Sequence, residues 1–378
     1  MLDGPDDHRS RLRVAGPVVV ALSFVVLGLP DYAHGVAWPA MRADLHRPLA
    51  DLGTFLAVQS VGYVAATSLL GRITGRWGID RAIRRAGLTC VAGLALVAAA
   101  PGWLVALAGA LLLGLGSGVM DAGFNAAVAL RNDARLMGVL HAGYGVGAGI
   151  GPVVVGTSLA TVGGWRPAYV VLAGATLVVV LSLTGRSLGS TPVTPHHAPS
   201  SPRGVLLPCL AFFVYVALEV TVGAWAFTYL TGPRGLGALV ASVWVAVYWV
   251  GLTAGRLWLG VRGHERGVDG LLRLSMVGVG ASTIVLWLGG PVAPLGLLLA
   301  GLALSVVFPL LMLVTPARVG VERATAAVGW QAAAGSVGSA AGPAAAGVVL
   351  DLAGVDAYGP VVLAMAVALA ATVGALRR

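Results

Sequence analysis

Three acidic residues sit inside long apolar stretches of the chain and are the side chains best placed to do chemistry: Asp31, Asp121 and Glu219. A carboxylate at membrane depth is costly to keep charged, so it marks a substrate path or a proton site. Asp121 lies in LLLGLGSGVMDAGFN (111–125), one helical turn before Asn125, so the two side chains share a face. Asp31 shares a face with His34 and Trp38 through i, i+3, i+7 spacing. Pro30 and Pro39 weaken the backbone ladder around that face and free carbonyls toward a cavity. Glu219 has Tyr215 one turn earlier, while Trp225 stands on a second stripe of the same segment. A rise of about 1.5 Å per residue puts Asp31 toward the outer side, Glu219 near the midplane and Asp121 toward the cytoplasm. The arginines fall to loops and span ends in this reading. The three acids are then left without a basic partner at their depth, and each can spend part of a working cycle protonated.

Other polar and aromatic residues in apolar segments make up a candidate substrate site. Gln59 with Tyr63, and His141 with Tyr144, are same-face pairs, and Trp330 and Gln331 follow later in the chain. Buried histidines are commonly hydrogen-bonded structural groups, so His34 and His141 rank behind the acids. Aromatic faces can cover the apolar side of a sugar ring while amides and carboxylates pair its hydroxyls. The expected cavity therefore takes in Asn125, Trp38, Gln59, Trp225, Trp330 and Gln331.

The elements that must hold these residues are membrane spans. Hydrophobic residues make up 58% of the 378 and charged residues only 10%, where a soluble domain carries about 25% charged residues. Apolar stretches about 20 residues long recur with short interruptions, as in a helical membrane bundle. Twelve spans are expected, near 14–38, 51–74, 82–100, 103–130, 136–162, 165–185, 205–231, 236–259, 268–289, 293–316, 323–350 and 357–376. Between the sixth and seventh, RSLGSTPVTPHHAPSSPRG (186–204) has no apolar face to pack and reads as a cytoplasmic linker between an N-terminal half, 1–185, and a C-terminal half, 205–378.

The net charge of +9 comes from 24 arginines with no lysine. Their spacing reports topology, not a nucleic-acid footprint. With the N-terminus inside, twenty fall on the inner side, Arg72 and Arg256 among them, and four on the outer. That asymmetry puts both termini in the cytoplasm of a cell whose inner (plasma) membrane holds the protein. The N-terminal tail reads as retained, not as a signal peptide. Cys90 and Cys209 read as packing residues, and no His/Cys cluster has metal-ligand spacing. No nucleotide loop or nucleophile motif is present, so neither an enzyme nor a cofactor is expected.

The halves repeat each other. GVGAGIGPVVVG (145–156) aligns without gaps to the segment Gly335–Gly347, matching Gly151, Pro152 and Gly156 to Gly342, Pro343 and Gly347. GRITG (71–75) ends the second span as GRLWLG (255–260) ends the eighth. Duplicated halves of this kind are typical of transporters that rock about a central site.

Several of these stretches resemble the major facilitator superfamily, and within it the fucose permease-like (fucose–galactose–glucose:proton symporter) group. They are D-x-x-H-G-x-x-W-P from Asp31, G-x-x-D-x-x-x-N at 118–125, HAGYGVGAGIGP (141–152), Y-x-x-x-E-x-x-x-G-x-W at 215–225, FP at 308–309 and VGWQAAAGSVGSAAGP (328–343). The resemblance implies a monomeric transporter with two six-helix halves, working by alternating access and coupling protons to a small polar solute such as a sugar. It implies proton-coupling roles for Asp31 and Asp121; the fourth-span acid, commonly Glu in the sugar permeases, is Asp here. The alternative is proton-driven efflux of an amphipathic compound, with the abundant tryptophans forming a loose apolar pocket.

Overall fold

The structure is a computed structural model that describes residues 13–14, 16–130, 134–187, 206–262, 267–319 and 321–376. The expected N-terminal tail and most of the 186–204 linker lie outside the described residues. What is described is almost entirely helical, and ten helical stretches, Pro17–Asp44 and Gly290–Thr315 among them, are long and apolar enough to cross a membrane. A bent pair would make an eleventh span, and one apolar helix, Arg166–Ser182, is shorter.

The first span is broken at its acid. Helix α1 (Pro17–Asp31) ends at Tyr32, and α2 (Ala33–Asp44) continues to the far side. Pro30 has no N–H for the ladder, and its ring crowds the carbonyl one turn back, so the helix yields there. Asp31 is therefore presented at a helix break, not on an unbroken wall. The second span also departs from the expected single helix. Helix α3 (Asp51–Ser68) stops at Leu69, and α4 (Leu70–Trp77) leaves at 57°.

Then come α5 (Ile79–Ala99), α6 (Trp103–Leu130), α7 (Ala134–Thr161) and α8 (Arg166–Ser182). Helices α9 (Leu206–Thr231), α10 (Ala238–Arg262) and α11 (Val268–Leu288) follow. The tenth expected span is interrupted, as α12 (Ala293–Leu304) and α13 (Val307–Val319). The break falls at Ser305, whose carbonyl is the one the Pro309 ring would crowd. The chain finishes with α14 (Val321–Ala353) and α15 (Tyr358–Leu376).

Packing follows one pattern twice. Helix α1 packs on α7, α3 on α6, and α5 on both α6 and α8. Later in the chain α9 packs on α14, α10 on α12, and α11 on both α12 and α15. The glycines of the internal repeat explain the first pair in each set. A Cβ on Gly151 would run into the Leu29 carbonyl of α1, and one on Gly342 into the Ala217 carbonyl of α9. Only glycine lets backbones approach this closely.

Two short strands pair in parallel, Arg13 with Arg186 and Val14 with Ser187. They hold the start of the first helix and the end of α8 at one end of the bundle. At the opposite, far end the earlier and later helices meet: α2 packs on α9, α3 on α14 and α7 on α10. There the Leu49 and Ala50 amides donate to the Asp351 carboxylate at 2.9 and 2.8 Å, so a residue of α14 caps the start of α3.

Candidate functional site

Asp31, Asp121 and Glu219 all border one cavity of about 480 Å³ at the centre of the bundle. Helices α1, α3, α6 and α7 supply one wall, with Gln59, Ser60, Tyr63, Ser117 and Tyr144 beside the two aspartates. Helices α9, α10, α13 and α14 supply the other, with Tyr215, Arg256, Phe308, Ser336 and Ser339 beside Glu219.

The aspartates are held by neutral donors. Gln59 Nε2 donates to Asp31 Oδ1 at 3.1 Å, and the Tyr144 hydroxyl donates to Oδ2 at 2.8 Å. The Tyr63 hydroxyl donates to Asp121 Oδ2 at 2.5 Å, and Asn125 Nδ2 to Oδ1 at 2.8 Å. Each carboxylate thus keeps two donors of fixed position, which hold its rotamer in either protonation state. A second, water-sized space of about 10 Å³ lies behind Asp31, bordered by Gln59, Ser117 and Thr176.

Glu219 is held by a charge, which corrects the expectation that no basic group reaches the acids. Arg256 Nη2 lies 3.2 Å from Oε2 and 3.4 Å from Oε1. The Tyr215 hydroxyl donates to the same carboxylate and lies 3.2 Å from Arg256 Nη2. The arginine's aliphatic stem lets its head travel along the wall from a helical position that the sequence marks as a span end. The Glu219 side chain is 10% exposed and that of Arg256 40%, so the guanidinium is the half of the pair that faces the cavity.

The remaining expected substrate residues divide. Gln59, Tyr63, Tyr144 and Tyr215 line the cavity; His34, Trp38, Asn125, His141, Trp225, Trp330 and Gln331 do not. His34 is buried behind the wall, its Nδ1 2.7 Å from the Tyr169 hydroxyl. Trp38 and Trp225 spend their indole N–H groups on the Leu49 and Pro343 carbonyls at 2.8 and 3.0 Å. Asn125 is occupied with Asp121, to whose backbone carbonyl it also donates at 3.0 Å. His141 sits edge-on to Phe24, with ring centroids 6.1 Å apart. Buried Gln331 accepts from Thr315 at 3.0 Å, and Trp330 is an exposed residue of α14. For His34, Trp38 and Trp225 helical spacing located the face, but neighbouring segments cover it.

Arg256 and Tyr32 are the principal residues missed. The Tyr32 ring stacks on Trp249 of α10, centroids 3.4 Å apart, across the two walls. Its position beside Asp31 in a proline-weakened segment was the available signal. For Arg256 the signal was its place within the eighth apolar segment.

Apolar helices closed around a polar chamber define a membrane protein that handles a small solute. The chain belongs to the Major Facilitator Superfamily, whose family model matches residues 20–343. Its family and relatives are transporters, not enzymes. It is 26% identical over 366 residues to an uncharacterized MFS-type transporter of Yersinia pestis, covering 93% of each chain. It is also 26% identical over 279 residues to Bypass of stop codon protein 6 of Saccharomyces cerevisiae. That match covers 64% of this chain but spans only 56% of the yeast protein's length. Among solved structures, the nucleoside transporter NupG superposes with a TM-score of 0.77 at 15% identity, over 96% of this chain and 98% of that one. A bacterial homologue of the human lysosomal transporter Spinster, inward-facing and occupied, superposes with a TM-score of 0.75 at 12% identity, over 99% and 96%. These likenesses establish the fold.

Proposed function

We propose that this protein is a proton-coupled symporter of a small polar solute such as a sugar, working by alternating access as a monomer in the plasma membrane. In this reading it has twelve spans in two halves, 1–185 and 205–378, joined by a cytoplasmic linker, with both termini in the cytoplasm. Asp31, Asp121 and Glu219 exchange the protons. The observation that carries the reading is their convergence: three carboxylates scattered through the chain border one chamber, each gripped by hydroxyl, amide or guanidinium donors. An ionisable group inside a membrane protein faces such a chamber when its proton is part of the work.

Closure of the far end by Asp351, Gly35 and the α7–α10 contact leaves the end bearing the Arg13–Arg186 strand pair as the way in. That suits an inward-facing state. Efflux of amphipathic compounds finds less support, because Trp38 and Trp225, which would have lined a loose apolar pocket, are tied into the packing.

The test is uptake of labelled hexoses, hexonates and nucleosides into proteoliposomes under an imposed pH gradient; nucleosides enter the panel because of the NupG likeness. Inward accumulation that collapses with the gradient is the expected result. A solute that moves only outward against an inward proton flow would overturn symport.

A further inference from the structure

Arg256 brings a positive charge into a chamber whose other polar lining groups are acids, hydroxyls and an amide. We infer that its guanidinium docks the anionic end of the transported solute, and that the solute class is a small hydroxylated monocarboxylate. The inference rests on the symport reading and narrows it from polar solutes in general.

Three observations converge. First, the Glu219–Arg256 pair is asymmetric: the acid is buried, while the Arg256 side chain is 40% exposed and lines the cavity, its guanidinium carbon 5.7 Å from the Phe308 ring centre. Among the described residues, its hydrogen bonds all leave through one terminal nitrogen, Nη2, to Tyr215 and Glu219. A guanidinium carries five N–H donors in a planar fork that matches a carboxylate edge, so an outward-facing edge is available.

Second, charge sets the valence. Among the described residues lining the cavity, Arg256 is the only basic one, and Asp31 and Asp121 stand on the opposite wall. One guanidinium suits a monoanion, whereas a phosphate dianion would meet two acids with a single counter-charge. Third, the rest of the lining is rich in small hydroxyls, Ser60, Ser117, Ser336 and Ser339, with Gln59 and Tyr63. These pair the hydroxyls of a polyol chain. Coupling then follows from charge balance: the anion enters beside Asp31 and Asp121 most readily when both carry protons, and they are carried inward together. Glu219 holds the guanidinium in place until the solute carboxylate competes for it.

The experiment measures binding by isothermal titration calorimetry of the purified full chain, with D-gluconate, D-glucose and glucose 6-phosphate as probes. Gluconate should bind saturably, with glucose and glucose 6-phosphate each weaker on the order of 30-fold, the size expected when a charged hydrogen bond is lost. Glu219→Gln should tighten gluconate binding by removing the competitor. Arg256→Gln leaves Glu219 buried without its partner and can misfold. The decisive variant is therefore the double Arg256→Gln/Glu219→Gln, which removes both charges and should lose the preference for gluconate over glucose.

The inference is overturned if gluconate shows no saturable binding, if glucose binds as well as gluconate, or if the double variant keeps the preference. The symport reading has a separate fate. If glucose accumulates with protons and needs Asp121, symport stands and the carboxylate inference falls. If Asp31→Asn/Asp121→Asn still accumulates solute on a pH gradient, the symport reading falls.

Discussion

The two walls of the chamber solve the same problem differently. On one, Asp31 and Asp121 are gripped by neutral side chains, Gln59 with Tyr144 and Tyr63 with Asn125. On the other, Glu219 is gripped by a guanidinium and a phenol. Neutral donors let a carboxylate gain or lose a proton with only its hydrogen bonds to rearrange. At Glu219, by contrast, gaining a proton means giving up the ion pair with Arg256. In the proposed cycle the aspartates exchange protons on their own, whereas proton gain by Glu219 goes with release of Arg256 to the solute.

The origin of the difference lies in the internal repeat. Arg72 in GRITG and Arg256 in GRLWLG occupy matching places at the ends of the second and eighth spans. The first copy bends by 57° at Leu69, and Arg72 leaves on α4 as an exposed residue. The second copy continues as one unbroken helix to Arg262, and Arg256 stays on the chamber wall. One helix break separates a surface charge from a site charge.

The comparison can be broken in graded ways. The largest effect is expected from Asp121→Asn, which should abolish uphill accumulation in proteoliposomes under a pH gradient while leaving solute counterflow; full accumulation would remove Asp121 from proton traffic. Next, Arg256→Gln should lower stability by about 2 kcal/mol, less than a fully buried pair would lose because the guanidinium is half-exposed. The double variant with Glu219→Gln should recover most of that in a thermal melt. Equal melting of single and double variants would show that the pair is not coupled.

Tyr63→Phe removes one donor from Asp121 and should cost about 1 kcal/mol, read as roughly fivefold slower proton-driven uptake with counterflow less affected. Tyr215→Phe, where Arg256 remains, should do less. An equal loss would erase the contrast between the walls. The smallest effect is expected from Asp351→Ala, which removes the cap on α3 at about 1 kcal/mol and loosens the far-end closure. Its readout is faster labelling of a cysteine placed at Leu49, and unchanged labelling would deny Asp351 a part in that closure.

Much of this was legible in the sequence. The same-face pairs Asp121 with Asn125 and Glu219 with Tyr215 are hydrogen-bonded as helical geometry requires. The Gly151 and Gly342 alignment corresponds to two equivalent close helix approaches. What misled was the step from a shared face to a shared cavity. Trp38, His34 and Trp225 do lie on faces with the acids or near them, yet Phe55 of α3 and Tyr169 of α8 cover His34, and the Trp38 and Trp225 indoles are bound to the Leu49 and Pro343 carbonyls. Spacing along one helix says nothing about which neighbour lies over it.

By itself, then, the sequence determined the membrane class, the positions of the apolar helices, the acids within them and the weakened backbone ladder at Pro30. These follow from local composition and from the 3.6-residue period, which act within one segment. Tertiary structure alone decided that three acids share a chamber, that seven of the expected site residues stand outside it, and that Arg256 enters while Arg72 does not. Those outcomes depend on contacts between helices far apart in the chain and on a bend whose direction no single segment specifies.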